Sequence, residues 1–190
     1  MTKRSRAAID AVIKAYDVRG VVGDGIDEEL MRDAGAAFGL LMRREGAEGI
    51  AVGHDMRDSS PGLSRAFAEG AAGQGVDVVM LGLTSTDQLY YASGTLNCPG
   101  AMFTASHNPA EYNGIKLCRA GARPVGQESG LNEIKDLLVS GVPEYDGEAG
   151  EISERDVLAG YAEFLRGLVD LTTGRKLTVA VDAGNGMAGL

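Results

Sequence analysis

"AMFTASHNPAEYNGIKL", residues 101–117, is the stretch whose reading decides the fold. An apolar run passes into Thr104–Ala105–Ser106–His107–Asn108–Pro109. The chain then breaks at the proline, turns at Asn113–Gly114 and enters a second apolar run carrying Lys116. Proline cannot donate to a strand ladder, and Asn and Gly favour turns. Residues 100–105 and 114–121 therefore read as two strands flanking a polar loop. The pair is close in sequence and introduces an antiparallel step.

Working outward, residues 27–46 carry Leu30, Ala34, Phe38 and Leu41 at helical spacing, with Asp27 as a cap and Gly46 as a stop. Residues 49–55 and 76–83 are short apolar runs, hence strands. Residues 59–75, 84–97 and 129–141 read as helices, the first with a serine cap and an early proline. Strands alternating with helices of this length imply crossover units and a largely parallel sheet covered on both faces. The expected fold is α/β: a three-layer α/β/α domain with a mixed, mostly parallel sheet.

Residues 142–153, "VPEYDGEAGEIS", are acidic, glycine-bearing and aperiodic, and read as a linker. A helix over 154–170, a strand over 176–183 and a glycine turn follow. The expected division is a first domain over 1–145, a linker over 146–153, and an incomplete start of a second α/β domain over 154–190. An apolar strand without a neighbour tends to find one, so self-association through this last segment, or disorder of it, is expected.

The 190 residues carry a formal net charge of −9. That argues against nucleic acid and against an anionic membrane as partners. An anionic small molecule is still admissible where basic residues converge locally. No apolar run approaches the ~18–20 residues that span a bilayer. The basic N-terminus lacks the apolar core of a secretion signal. The expected location is cytoplasmic. Cys98 and Cys118 should then be reduced, and they read as small buried packing residues. With only two histidines and no ligand spacing, a zinc site is not expected.

Gly184, Gly186 and Gly189 spell G-x-G-x-x-G behind the run 176–183. A dinucleotide site also needs the helix and a later acidic residue. Neither follows, so the glycines read as a tight turn.

Ser106 has two readings. A hydrolase nucleophile is disfavoured, because G-x-S-x-G is absent and His107, as the immediate neighbour, is not expected to turn its ring onto the hydroxyl. The remaining choices are a phosphoryl-carrying serine and a surface turn with a capping serine. Arg19, in "AYDVRG", and Lys116, in "GIKL", are cations in short apolar settings of an acidic chain. Each is either a phosphate-facing group or one half of a surface salt bridge. His54, Asp55, Arg57 and Asp58 form a polar strand end that reads as structural support.

The segments "AYDVRGVVGD" (15–24), "VGHDMRDSS" (52–60), "TASHNPAEYNGIKL" (104–117) and "VDAGNGMAG" (181–189), in this order and at these separations, resemble the N-terminal part of the α-D-phosphohexomutases. "AYDVRG" resembles the phosphomannomutase/phosphoglucomutase branch. The resemblance implies a phosphoserine at Ser106, which exchanges a phosphoryl group with a hexose phosphate through a hexose 1,6-bisphosphate. It implies that Tyr16, Arg19, His107, Asn108 and Lys116 line that site. Arg19, Lys116 and His107 would serve the chemistry, and Tyr16 and Asn108 would bind phosphate or substrate. It implies Mg²⁺ held through the phosphate on Ser106, with its other ligands in a D-x-D-x-D loop that these residues do not contain. The expected substrates are mannose or glucose phosphates, and the chain by itself is expected to be inactive. The competing expectation is a non-catalytic α/β domain that keeps the motif as an anion-binding or interaction site.

Overall fold

The computed structural model describes residues 4–170, 172 and 174–189. The elements in chain order are α1 (Arg6–Val12), β1 (Val18–Val22), β2 (Gly25–Ile26), α2 (Glu28–Arg44), β3 (Gly49–His54), α3 (Ser60–Ala72), β4 (Asp77–Leu83), α4 (Thr86–Thr95), β5 (Gly100–Phe103), β6 (Tyr112–Arg119), β7 (Arg123–Pro124), α5 (Asn132–Ser140), β8 (Ile152–Glu154) and α6 (Leu158–Leu168). The cap expected for α2 is formed, whereas the serine cap expected for α3 is not: Ser59 makes no capping hydrogen bond. The Asp27 carboxylate accepts from the Leu30 amide at 2.6 Å, and Ser85 with Gln88 closes a reciprocal capping box at the start of α4.

The strands lie in the order β2-β1-β6-β5-β3-β4-β8, with β7 on β6. Strands β5, β3, β4 and β8 run parallel to one another. Strand β6 is antiparallel to β5 on one side and to β1 on the other. The period-two alternation of side chains divides the core between two faces. Ile50, Val52, Ala101, Phe103, Ile115 and Leu117 point to the side of α1, α2, α3 and α5. Ala51, Leu81 and Met102 point to the other side, against Leu89 and Ala92 of α4. On the larger face Phe67 lies between Phe38, at 6.0 Å, and Phe103, edge-on at 5.5 Å. This is the three-layer, mixed-sheet architecture expected. No helix among the described residues is long and apolar enough to cross a membrane.

Both cysteines pack as expected: Cys118 is buried and Cys98 half-buried. Burial pushes both thiols above their ordinary range, which disfavours the reactive thiolate.

Two expectations are corrected. The linker is not wholly irregular. Its last residues and Glu154 form β8, which pairs in parallel with β4 through Val78↔Ile152 and Met80↔Glu154. The Asp77 carboxylate accepts from the Glu151 amide at 2.8 Å and guides the segment onto the sheet edge. Helix α6 then rests Tyr161 and Phe164 against Tyr91 of α4, at ring separations of 5.7 and 5.5 Å. The strand expected over 176–183 is absent: these residues have no regular structure, and Leu177, Val179 and Val181 are exposed. Among the described residues no neighbouring strand offers the ladder that would make this apolar run a strand. Gly184 and Gly186 sit in a turn closed by the Gly186 amide on the Ala183 carbonyl.

The C-terminal end of α2 is tied to β6 by a two-pronged ion pair. The Arg119 guanidinium donates to the two Glu45 oxygens at 2.8 and 2.7 Å. These hydrogen bonds hold the Glu45 carboxyl below its ordinary range. A carboxyl depressed in the folded state stabilises at pH values above its unfolded value. The contribution is lost as pH falls through the folded value. Glu45 is about two-fifths exposed, so screening keeps the effect to less than about 1 kcal/mol. Glu45→Gln should therefore unfold at lower urea than the parent at neutral pH, and the gap should close below the carboxylate range.

Candidate functional site

The site is built at the carboxyl ends of β3 and β5, where open α/β sheets place their ligands. Strand β5 ends at Phe103, and the Thr104 amide still donates to the Gly114 carbonyl, so the loop leaves an intact ladder. The Thr104 hydroxyl then accepts from the Ser106 amide at 3.0 Å, a local turn that Thr is suited to make. The Asn108 amide donates to the Ala105 carbonyl at 3.0 Å and the Tyr112 amide to the Pro109 carbonyl at 3.1 Å. Within this tight path Ser106 takes a left-handed conformation, φ +53°. The side chain is exposed in an open groove lined by Met56, Asp58, Ser59, His107 and Asn108.

The His107 ring reaches the hydroxyl: Nδ1 lies 3.3 Å from Ser106 Oγ. The expectation that adjacent residues could not meet is thus corrected. It rested on adjacency alone, whereas the left-handed turn at Ser106 brings the two side chains to one side.

Arg19, Asn108 and Lys116 also converge. Arg19 donates to Asn108 Oδ1 at 2.6 Å and to Asp17 Oδ2 at 2.7 Å. Lys116 Nζ lies 3.9 Å from the same Asp17 oxygen. The cause is register. β1 and β6 pair through Val18↔Ile115 and Arg19↔Gly114, and one further step along that register sets Asp17 opposite Lys116. The close approach needs Gly114, where an added Cβ would meet the Val18 carbonyl oxygen at 2.0 Å. Arg19 thus reaches the serine loop through Asn108, and Lys116 is joined to Arg19 through Asp17; neither of the two cations lines the Ser106 groove. Neither donates directly to the Ser106 hydroxyl. Tyr16 is not brought to this groove. It is 79% exposed and lines a separate depression with Ala15, Gly126 and Gln127.

Sequence reading passed over Asp17, the carboxylate shared by the two cations, and took Asn113–Gly114 for a turn, whereas both lie inside β6 and the Asn113 side chain is fully buried. Asn113 donates to the Ser59 and Ser60 hydroxyls at 2.8 and 2.9 Å, and so joins β6 to the start of α3. For Asp17 the available signal was its i, i+2 spacing from Arg19, which puts both on one side of an extended chain. For Asn113 there was none. Of the polar strand end after β3, His54, Asp55 and Arg57 form a hydrogen-bonded unit as expected, whereas Asp58 lines the Ser106 groove. Asp55 accepts from the Arg57 amide at 3.1 Å and from the Ser60 hydroxyl at 2.7 Å, and His54 Nδ1 lies 2.9 Å from the Asp55 carbonyl.

Among the described residues no group of three His, Cys, Asp or Glu side chains could hold a metal ion. They therefore do not make a Mg²⁺ site by themselves, and no step below is routed through one.

Comparison with known proteins agrees with this geometry. Residues 10–141 match the family model for phosphoglucomutase/phosphomannomutase, alpha/beta/alpha domain I. Phosphohexose mutases of Xanthomonas campestris pv. campestris are 39% identical over 179 residues, 93% of this chain and 39% of theirs. A phosphomannomutase of Escherichia coli is 38% identical over 180 residues, again 93% of this chain and 39% of its own length. The chain thus spans about two-fifths of the length of these curated relatives. The crystal structure of a phosphoglucomutase/phosphomannomutase family protein from Burkholderia thailandensis superposes with a TM-score of 0.84 at 34% identity, covering 97% of this chain and 40% of that one. Fold, loop and relatives converge on one statement: the chain belongs to the phosphoglucomutase/phosphomannomutase family.

Proposed function

We propose that these residues form the phosphoserine-bearing domain of a phosphohexomutase, which interconverts hexose 6-phosphate and hexose 1-phosphate through a hexose 1,6-bisphosphate. The observation that supports the reading is the exposed hydroxyl of Ser106, held in a left-handed turn beside His107, on a loop that the Arg19–Asp17–Lys116 network meets at Asn108. Phosphoryl transfer asks a protein mainly for positioning and charge neutralisation. In the loading step, Ser106 Oγ forms a bond to phosphorus as the bond to the sugar oxygen breaks. His107 Nδ1 is the neighbouring base placed to receive the serine proton. In the reverse direction the serine oxygen leaves as a sugar hydroxyl attacks. Arg19 supplies positive charge; in loading the Lys116 ammonium gives its proton to the leaving sugar oxygen, and in the reverse step the neutral Lys116 amine takes the attacking sugar hydroxyl's proton while His107 returns its proton to the serine oxygen. Asn108, its Oδ1 engaged by Arg19, keeps an amide N–H₂ for a phosphate oxygen. The natural substrates on this reading are mannose or glucose phosphates.

The test is phosphoryl uptake. Incubation of the full-length enzyme with glucose 1,6-bisphosphate should add one phosphoryl group to the intact mass, mapped by peptide analysis to Ser106 and removed by excess hexose monophosphate. A protein that binds the bisphosphate but never acquires the group is an anion-binding domain, and the mutase reading falls.

A further inference from the structure

The Arg57 guanidinium has a role beyond the support expected of the polar strand end. Its side chain is nine-tenths buried, at 9% exposure, under the serine loop. Nη1 donates to the carbonyls of Pro109 at 2.7 Å and Tyr112 at 3.0 Å. Nη2 donates to the carbonyls of Ser106 at 3.0 Å and Asn108 at 2.8 Å. One guanidinium thus gathers four carbonyls from the span 106–112. A lysine ammonium cannot match this planar fork. The clamp is itself fixed from below. Arg57 Nε lies 3.3 Å from Asp55 Oδ2, Asp55 accepts from Ser60, and Ser60 accepts from Asn113 of β6. The loops after β3 and β5 are thereby locked to each other and to α3.

This arrangement bears on Ser106 directly. A left-handed conformation is unfavourable for a non-glycine residue and persists only where the surroundings impose it. The Ser106 amide is taken by Thr104 and its carbonyl by Arg57, so both peptide groups of the strained residue are held. With its carbonyls drawn inward to Arg57, the loop keeps its side chains Ser106, His107 and Asn108 toward the groove.

We propose that Arg57 is the positioning residue of the phosphoryl-carrying loop: its four-carbonyl clamp imposes the backbone turn that aims Ser106 Oγ at the incoming phosphorus. Arg57 acts through Ser106 and touches no reacting atom. The proposal rests on the phosphoserine reading above.

Arg57→Lys and Arg57→Ala test it, with circular dichroism and thermal unfolding as the check on folding. The readouts are the rate of phosphoryl uptake from glucose 1,6-bisphosphate and the ³¹P chemical shift of the loaded serine. Displacing a reacting group by about an ångström costs roughly 100-fold in rate. Both folded variants should therefore load about 100-fold more slowly with little change in bisphosphate half-saturation. Their phosphorus resonance should be shifted or broadened. Millimolar guanidinium should restore part of the rate to Arg57→Ala, whereas sodium chloride at equal ionic strength should not. Folded variants that load at the parental rate with an unchanged resonance overturn the proposal. So does failure of both variants to fold, since Arg57 would then serve the domain as a whole. A parent protein that never loads overturns the phosphoserine reading instead, a separate and recognisable outcome.

Discussion

In the full-length enzyme, Ser106→Ala is expected to abolish phosphoryl uptake and, with it, the mutase turnover proposed above. The neighbouring hydroxyl cannot take its place: Thr104 is buried and spends its oxygen on the Ser106 amide. Loss of a covalent-catalysis nucleophile typically costs roughly 10⁴- to 10⁶-fold, because the remaining groups have no acceptor to serve. Ser106→Gly sharpens the test. Serine and alanine both bear the strain of φ +53°, whereas glycine occupies that region freely. The cost of a left-handed conformation is about 1–2 kcal/mol per residue. Ser106→Gly should recover part of that, offset by the larger entropy of an unfolded glycine. The expected result is two equally inactive variants, of which the glycine form is the more stable in urea. Both measurements bear on the same idea, that the loop stores strain to present a hydroxyl. Turnover above a few per cent in either variant would remove Ser106 from the chemistry. Equal stability would remove the strain.

How much of this was legible depended on whether the deciding contact was local. The strand–loop–strand unit of 101–117 declared itself because both strands and the loop between them lie within one short window, although the second strand begins at Tyr112, ahead of the turn expected at Asn113–Gly114. A parallel pair would need a crossover of a dozen or more residues. The cap on α2 was legible for the same reason, since Asp27 and the Leu30 amide are three residues apart. Strand β8 and the run 176–183 show the opposite case. An acidic, aperiodic segment became a strand because β4 offered an open edge and Asp77 a hydrogen bond. An alternating apolar run gained no strand because no described strand lies beside it. A strand is a property of two segments, and one window shows only half of it. The same limit hid the site's wiring. Ser106, His107 and Asn108 were visible as residue types. That Asp17 joins Arg19 to Lys116, or that Arg57 gathers carbonyls some fifty positions away, follows from register and from the meeting of two loops. The His107 contact was missed for a conformational reason, the sign of one φ angle.

Gly70→Ala should destabilise the fold by about 3 kcal/mol, against the direction that helix propensity alone would give. In an open helix interior, alanine is preferred over glycine by roughly 0.8–1 kcal/mol. At Gly70 an added Cβ would meet the Arg32 carbonyl oxygen at 1.9 Å, and at Gly35, on the facing helix, it would meet that of Phe67 at 2.0 Å. The two glycines let α2 and α3 cross with their backbones in contact. No rotamer relieves a clash between a Cβ and a backbone oxygen, so the helices must move apart and open the Phe38–Phe67 contact beneath them. Overpacking of this kind costs typically 1–3 kcal/mol, at times more, and outweighs the propensity gain. Gly94→Ala in α4 is the counterpart, because nothing lies within 4 Å of its added Cβ. It should be neutral or stabilising by up to about 1 kcal/mol. For a chain of this size the Gly70→Ala loss corresponds to a fall of roughly 6–12 °C in Tm. The effect should reach the site as well. The first turn of α3 carries Ser60, which holds Asp55 and, beyond it, the Arg57 clamp. A shifted α3 therefore loosens the serine loop, and Gly70→Ala should load phosphate more slowly than the parent even well below its own Tm. Opposite signs for the two glycines, measured side by side, are the decisive result; two changes of the same sign would mean that the helices do not touch where the fold places them.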